Sequence, residues 1–223
     1  MNPMRLMRRT AVAALSGLSL LTGTAAVSAT VATATAEPCP DVEVIFARGT
    51  SEPAGVGRVG QALADQLQGQ LGGRTVGTYG VVYPATYDFM AAADGATDAT
   101  NRIALMAQQC PSTRIVLGGY SQGAAVVDML VGVPPLGNKV GSVGSAPPLP
   151  ASLQGNVAAI AVFGNPSAKF GVPVTSGNLG GRSIDLCSNG DPICSDGRNP
   201  FAHTNYESSP MIGQAAGFVA RLV

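Results

Sequence analysis

Arg114-Ile115-Val116-Leu117-Gly118-Gly119-Tyr120-Ser121-Gln122-Gly123-Ala124-Ala125-Val126-Val127 is the stretch on which the reading of this chain turns. Arg114–Gly119 is a short apolar run, which reads as a buried strand. Gln122–Val131 follows as a run of good helix formers. Between them, Gly119-Tyr120-Ser121-Gln122-Gly123 fits G-x-S-x-G. That pattern alone is weak; between a strand and a helix it is specific. A sharp strand-to-helix turn holds the serine Oγ out at the sheet edge, and glycine on either side lets neighbouring backbone approach closely. The start of the helix adds N–H groups that favour negative charge. Ser121 is therefore the candidate nucleophile.

Working outward, the same alternation recurs. Val42–Ala47 reads as a buried strand ending in the turn Arg48-Gly49-Thr50-Ser51. Val56–Leu71, with Val59, Leu63 and Leu67 at steps of four, predicts an amphipathic helix. Val76–Tyr83 reads as a second strand ended by Pro84, and Asp94–Cys110 as a helix stopped by Pro111. Val157–Phe163 and Arg182–Leu186 supply a fourth and fifth strand, and Ser208–Leu222 a closing helix. Gly132–Pro150 reads as a Gly/Pro-rich loop of the same domain. Strands alternating with helices predict a mainly parallel sheet covered on both faces, with its site at the carboxyl ends of the strands.

Composition narrows the chemistry. The 223 residues include 13 Lys+Arg, 13 Asp+Glu, one His and four Cys. Arg5, Arg8 and Arg9 precede an apolar stretch, Ala11–Val27, and then small residues at Val27-Ser28-Ala29 and Ala34-Thr35-Ala36. Residues 1–36 therefore read as a secretory signal peptide, with cleavage after Ala29 or Ala36, and residues 37–223 as one domain. The run is short and Ser/Thr/Gly-rich for a spanning anchor. Without those 36 residues the chain has 10 basic and 13 acidic side chains. No basic surplus remains for a nucleic-acid partner. A single histidine and no CxxC pair give no metal site, and no cofactor is called for. In an exported chain, four cysteines predict two disulfides, with three pairings open. Cys187 and Cys194 flank the turn signature Asn189-Gly190-Asp191-Pro192; pairing them leaves Cys39 with Cys110. Chain entropy rates the two bridges at roughly 2.5 and 4.4 kcal/mol.

A serine nucleophile needs a base, and His203 is the only imidazole. Its place, in a loop just before the last helix, completes the chain order serine, acid, histidine found in α/β-hydrolases. The acids between are Asp128, Asp185, Asp191 and Asp196. Asp128 lies two turns into the helix after the serine, Asp185 in or at the end of a strand, and Asp196 in a turn before Gly197. Asp191 follows a strand in the loop between two cysteines, so it is the best-placed acid. For the oxyanion, one donor is the Gln122 N–H. The other falls to the Arg48–Ser51 loop, where Thr50 offers N–H and hydroxyl.

Four segments then carry a resemblance. Phe46-Ala47-Arg48-Gly49-Thr50, Gly119-Tyr120-Ser121-Gln122-Gly123, Cys187-Ser188-Asn189-Gly190-Asp191-Pro192-Ile193-Cys194 and Ala202-His203-Thr204-Asn205-Tyr206 resemble the cutinase family of α/β-hydrolases, most closely its secreted mycobacterial and actinobacterial members. The resemblance implies a compact α/β-hydrolase with a central five-stranded parallel sheet flanked by helices and no large lid. It implies Ser121, Asp191 and His203 as catalytic triad, Thr50 and Gln122 as oxyanion hole, and disulfides Cys39–Cys110 and Cys187–Cys194. It also implies a serine carboxylic-ester hydrolase, secreted or retained at the cell envelope. The expected partners are a small-molecule or lipid ester and a transient lipid surface, and the protein is expected to be a monomer. Tyr83, Pro84, Tyr87, Phe89, Pro200 and Phe201 are candidates for an acyl groove, open enough for short- to medium-chain esters. Two other functions fit the same residues: a catalytically silent lipid-binding envelope protein, and an acyltransferase or thioesterase using the same triad.

Overall fold

The structure, a computed structural model, describes residues 38–134, 136 and 143–223. The expected signal at 1–36, and residues 135 and 137–142 of the expected loop, lie outside the described residues. The described chain builds a five-stranded sheet in the order β2-β1-β3-β4-β5. The strands are β1 (Val42–Ala47), β2 (Val76–Gly80), β3 (Arg114–Tyr120), β4 (Val157–Phe163) and β5 (Ser183–Leu186), and every pairing is parallel. The α-helices are α1 (Gly57–Gln70), α2 (Ala92–Gln109), α3 (Gln122–Leu130), α4 (Ala151–Gln154), α5 (Pro200–Thr204) and α6 (Pro210–Ala220).

The alternation of side chains along each strand explains the two layers. Ile45, Leu117, Ile160 and Val162 pack with Ile103 of α2 and Val126 of α3. Val44, Phe46, Val116, Ala161 and Phe163 point the other way, against Leu63 and Leu67 of α1 and Ile212 and Val219 of α6. In α1 the buried residues include Val59, Leu63 and Leu67, as their spacing predicts. Glu43 breaks the apolar pattern of β1 and is only 2% exposed. It is held by a two-pronged ion pair with Arg102 of α2, whose Nε donates to Oε2 at 3.0 Å. The guanidinium also lies 4.7 Å from the Tyr79 ring centroid.

Three boundaries depart from expectation, each for a local reason. Strand β2 stops at Gly80 instead of reaching Tyr83. Beyond it, Arg48 takes the carbonyls of Val81 and Tyr83 at 3.3 and 2.8 Å, which draws the chain into a loop. The closing helix starts at Pro210, because Ser209 adopts the extended backbone favoured before proline and caps the helix by accepting from the Met211 N–H. Residues 200–204 form α5 where a loop was expected. Asn199 caps it, accepting from Phe201 N at 3.1 Å, with Pro200 in the first turn.

The elbow between β3 and α3 is the tightest place in the molecule. A Cβ on Gly123 would lie 1.9 Å from the Ala47 carbonyl oxygen, and one on Gly119 would lie 2.1 Å from the Gly123 carbonyl oxygen. Both are backbone contacts and cannot swing aside. Gly123→Ala is therefore expected to destabilise the fold by about 3 kcal/mol or more, read by urea unfolding. A loss below about 1 kcal/mol would show that the elbow can relax.

A second buried feature lies beside β4. Asn165, fully buried, donates from Nδ2 to Asp128 Oδ1 at 3.1 Å and to Asp185 Oδ2 at 2.8 Å. Burial pushes the Asp128 carboxyl up to about 7; the Asp185 charge adds to this, while hydrogen bonds from Ser167 and Asn165 oppose it. The native state then keeps a proton that the unfolded chain has already lost between about pH 4 and pH 7. Stability should fall as pH rises through that window. Asp128→Asn removes the Asp128 share of the dependence and leaves that of Asp185, whose carboxyl burial also pushes up. At about pH 8 it is expected to be more stable than the parent by on the order of 1–3 kcal/mol, a difference that shrinks toward acid pH. Parallel denaturation curves against pH for the two proteins check this.

Candidate active site

The parallel sheet brings the carboxyl ends of β1, β3, β4 and β5 to one rim, and the candidate residues meet there. Ser121 sits at the tip of the elbow with φ 55° and ψ −116°. A non-glycine residue holds this conformation only when its surroundings over-determine it. Here the Ser121 N–H donates to Phe163 O at 2.9 Å, while its carbonyl accepts from Ala124 N at 2.9 Å. The side chain is left to point outward.

His203 lies in the last turn of α5, with Nε2 2.9 Å from Ser121 Oγ and Nδ1 2.8 Å from Asp191 Oδ2. A carboxylate facing Nδ1 keeps the proton there, which leaves Nε2 free to accept from the serine hydroxyl. The imidazole is held from several sides. Tyr120 donates its hydroxyl to His203 O at 2.6 Å, and its ring centroid is 5.1 Å from that of His203. Gly164, at φ 58°, forms the floor, and a Cβ there would stand 2.9 Å from His203 Cε1. The His203 side chain is 15% exposed, so solvent reaches part of the imidazole.

Asp191 is fully buried. The Cys187–Cys194 disulfide closes its loop, with Cα atoms 5.8 Å apart, while Cys39–Cys110 ties the start of the described chain to the end of α2. Within the loop, Asp191 N donates to Ser188 O at 3.0 Å and Ser195 N to Asp191 O at 3.1 Å. Asp191 Oδ1 accepts from Ile193 N at 2.7 Å, and Oδ2 accepts from the Tyr206 hydroxyl at 2.7 Å as well as facing His203. Burial alone pushes this carboxyl up, but the hydrogen bonds from His203, Tyr206 and Ile193 outweigh it and hold Asp191 below the ordinary carboxylate range. It is ionised wherever His203 has to be oriented.

The turn after β1 faces the serine from the other side. Thr50 Oγ1 donates to Gln122 Oε1 at 3.1 Å, joining the two residues expected to flank an oxyanion. Their side chains lock one another, and the Gln122 N–H belongs to the first turn of α3, where no intrahelical acceptor exists. Glu52 staples the turn: its carboxylate accepts from Gly49 N at 2.7 Å and from Arg58 N at 3.1 Å. Ser51, at φ 64°, donates its N–H to Ala85 O at 2.7 Å, which couples the turn to the loop after β2.

The other acids stand apart. Asp128 and Asp185 face Asn165, and Asp196 lies outside the His203 contacts. The expected groove needs one correction. Tyr83 is 5% exposed, with its hydroxyl on Arg48 O and its own carbonyl accepting from Arg48, so it braces the loop instead of lining a groove. Pro84, Tyr87, Pro200 and Phe201 are exposed near the site, and Phe89 packs edge-on against Tyr87 at 6.4 Å. Sequence reasoning missed Tyr120, Tyr206 and Glu52. Each lies inside or beside a segment already singled out, but a hydrogen bond across the fold leaves no periodicity in a sequence.

Comparison with known proteins identifies the family. The Cutinase family model matches residues 38–223. Phospholipase Culp4 of Mycobacterium tuberculosis is 52% identical over 184 residues, covering 82% of this chain and 78% of the relative. Carboxylesterase Culp1 of Mycobacterium bovis is 40% identical over 229 residues, covering 99% and 97%. Among solved structures, a Trichoderma reesei cutinase in complex with a phosphonate inhibitor superposes with a TM-score of 0.66 at 36% identity, covering 83% of this chain and 77% of that one. With its five parallel strands, its two disulfides and a match across the whole described domain, the chain belongs to the cutinase family of carboxylic-ester hydrolases.

Proposed function

We propose that the protein is an exported serine esterase that hydrolyses short- to medium-chain carboxylic esters, with Ser121 as nucleophile, His203 as base and Asp191 as its acid. The observation that carries this reading is the pair of contacts at His203, 2.9 Å to Ser121 Oγ and 2.8 Å to Asp191 Oδ2. Ser121 Oγ bonds to the ester carbonyl carbon as its proton passes to His203 Nε2. The carbonyl oxygen becomes an oxyanion and is met by the N–H groups of Thr50 and Gln122. The tetrahedral intermediate collapses, the C–O bond to the alcohol breaks, and Nε2 returns the proton to the leaving oxygen. Water then gives its proton to Nε2 as it adds to the acyl carbon, the C–Oγ bond breaks, and Nε2 returns that proton to Oγ, releasing the acid and restoring Ser121. Asp191 stays ionised throughout and stabilises the imidazolium.

Several features favour esters of modest length. Ser121 is half-buried, and the exposed Pro84, Tyr87, Pro200 and Phe201, on the loops coupled to the Thr50 turn and to His203, would offer apolar contact to an acyl chain. A silent lipid-binding protein would be favoured by a His203 far from Ser121, and the short contact speaks against it. The relatives include a phospholipase and a carboxylesterase, so a phospholipid belongs beside a chain-length series of p-nitrophenyl esters in any assay.

Ser121→Ala is expected to lose ester turnover by at least about 10⁴-fold and to lose labelling by a fluorophosphonate, while keeping the parent's thermal unfolding. Turnover within about 10-fold of the parent would overturn the assignment. The acid loop gives a separate test. A variant with Cys187 and Cys194 both replaced by serine should lose turnover under conditions where circular dichroism still reports a folded protein, because the short bridge seats Asp191 more than it holds the whole fold. Full activity in that variant would show that the loop holds its shape unaided.

A further inference from the structure

The fully buried Asp191 shares one oxygen between two donors. Oδ2 lies 2.8 Å from His203 Nδ1 and 2.7 Å from the Tyr206 hydroxyl. The Tyr206 hydroxyl accepts from Ser188 N at 2.8 Å; of the two acceptors for its own proton, the Asp191 carboxylate at 2.7 Å is nearer and stronger than the Cys194 disulfide sulfur at 3.4 Å. Its ring is 1% exposed and stands edge-on to the imidazole, 6.2 Å between centroids at 88°. Tyr206 thus reaches from beyond α5, three residues after His203, to the back of the acid that orients that histidine.

Resting on the triad reading above, we propose that Tyr206 is a positioning residue that moderates the acid: by donating into the Asp191 oxygen that faces His203, it weakens the pull of the carboxylate on the imidazole and sets the pH at which the base becomes available. The physical reason is competition. A carboxylate oxygen that already accepts a strong O–H bond has less electron density to offer a second donor. An imidazolium gains more from an unshared carboxylate than a neutral imidazole does, so sharing favours the neutral ring that can accept the Ser121 proton. The hydroxyl also keeps Oδ2 from swinging away, with Ile193 N fixing the other oxygen at 2.7 Å.

The other groups around the imidazole are few. Ser121 faces it from the elbow and Tyr120 from β3. Beyond these lie Glu207, paired with Arg58 at 2.5 Å, and Glu52, 3.4 Å from the Arg58 Nε. Arg58 also donates to Thr204 O at 3.4 Å. None of them touches the Asp191 carboxylate. Removing the Tyr206 hydroxyl takes away its bond to Asp191 and the acceptor of the Ser188 N–H, and leaves this surrounding charge in place; the fluorinated tyrosine below keeps both contacts.

The test uses the mature protein with any histidine tag removed, so that His203 is its sole imidazole. In Tyr206→Phe, the rise of kcat/KM with pH should move to higher pH by about half to one unit, and so should the NMR titration of the imidazole. The Nδ1–H resonance should move further downfield as the hydrogen bond to Asp191 strengthens. A ring-fluorinated tyrosine placed at 206 is a stronger donor and should move both midpoints the opposite way; it also supplies the answer if the phenylalanine variant does not fold. Midpoints that stay at the parent value in a folded, fluorophosphonate-reactive variant would overturn the proposal and leave the triad intact. Loss of the triad reading would appear elsewhere, as persistent turnover in Ser121→Ala.

Discussion

The structure depends on one close approach of backbone to backbone. The Gly123 Cα sits so near the Ala47 carbonyl that no side chain fits between them, and Gly119 meets the Gly123 carbonyl in the same way. That contact pins the start of α3 against the end of β1. It forces Ser121 into its left-handed conformation and places the Thr50 turn opposite the serine. Thr50 and Gln122, 72 residues apart in sequence, come into hydrogen-bond contact because the two strand ends carrying them are clamped together. The strain at Ser121 is borne by neighbours on both sides, chiefly the bond from its N–H to Phe163.

The opposite half of the site follows a different logic. Ser121 is held by rigid backbone, whereas Asp191 and His203 are held by side chains and a covalent staple. Asp191 is seated by Ile193, Tyr206 and the Cys187–Cys194 bridge, and His203 by Asp191, Tyr120 and the Gly164 floor. Buried charge is handled in two ways in this small core. Glu43 pairs with the Arg102 guanidinium, whereas Asp128 has no cation beside it, only neutral donors and the Asp185 carboxyl, and is pushed toward its neutral form. Asp191 is held charged as well, but with the neutral donors Tyr206 and Ile193 beside His203 in place of a guanidinium.

Much of this was legible in the sequence, and the reason differs by feature. The strands read clearly because β1, β3 and β4 are buried on both faces and so form nearly continuous apolar runs. Ser121, Asp191 and His203 could be found because a glycine-flanked serine, a cysteine-closed loop and a single histidine are each local signals. Tyr83 misled because an aromatic residue before a proline looks like a groove wall, and only the fold reveals the Arg48 guanidinium waiting for its carbonyl. The end of β2 was lost for the same reason. The helix around His203 carried a readable signal, Asn199-Pro200, whose capping role was passed over. Tyr120, Tyr206 and Glu52 act through contacts spanning the fold, and such pairings leave no pattern in a single chain.

The order in which the site's parts occur along the polypeptide has a consequence for synthesis. Ser121 and His203 are separated by 82 residues, and Tyr206 comes later still. A growing chain that has reached residue 190 contains the serine elbow but has neither Asp191 nor His203. Such an intermediate can fold β1 to β4 around a hydroxyl with no partner to activate it. Because loop closure over long separations comes late and costs entropy, the reactive centre forms only as the last elements dock. Under the proposed triad, ester turnover would therefore report the integrity of nearly the entire fold.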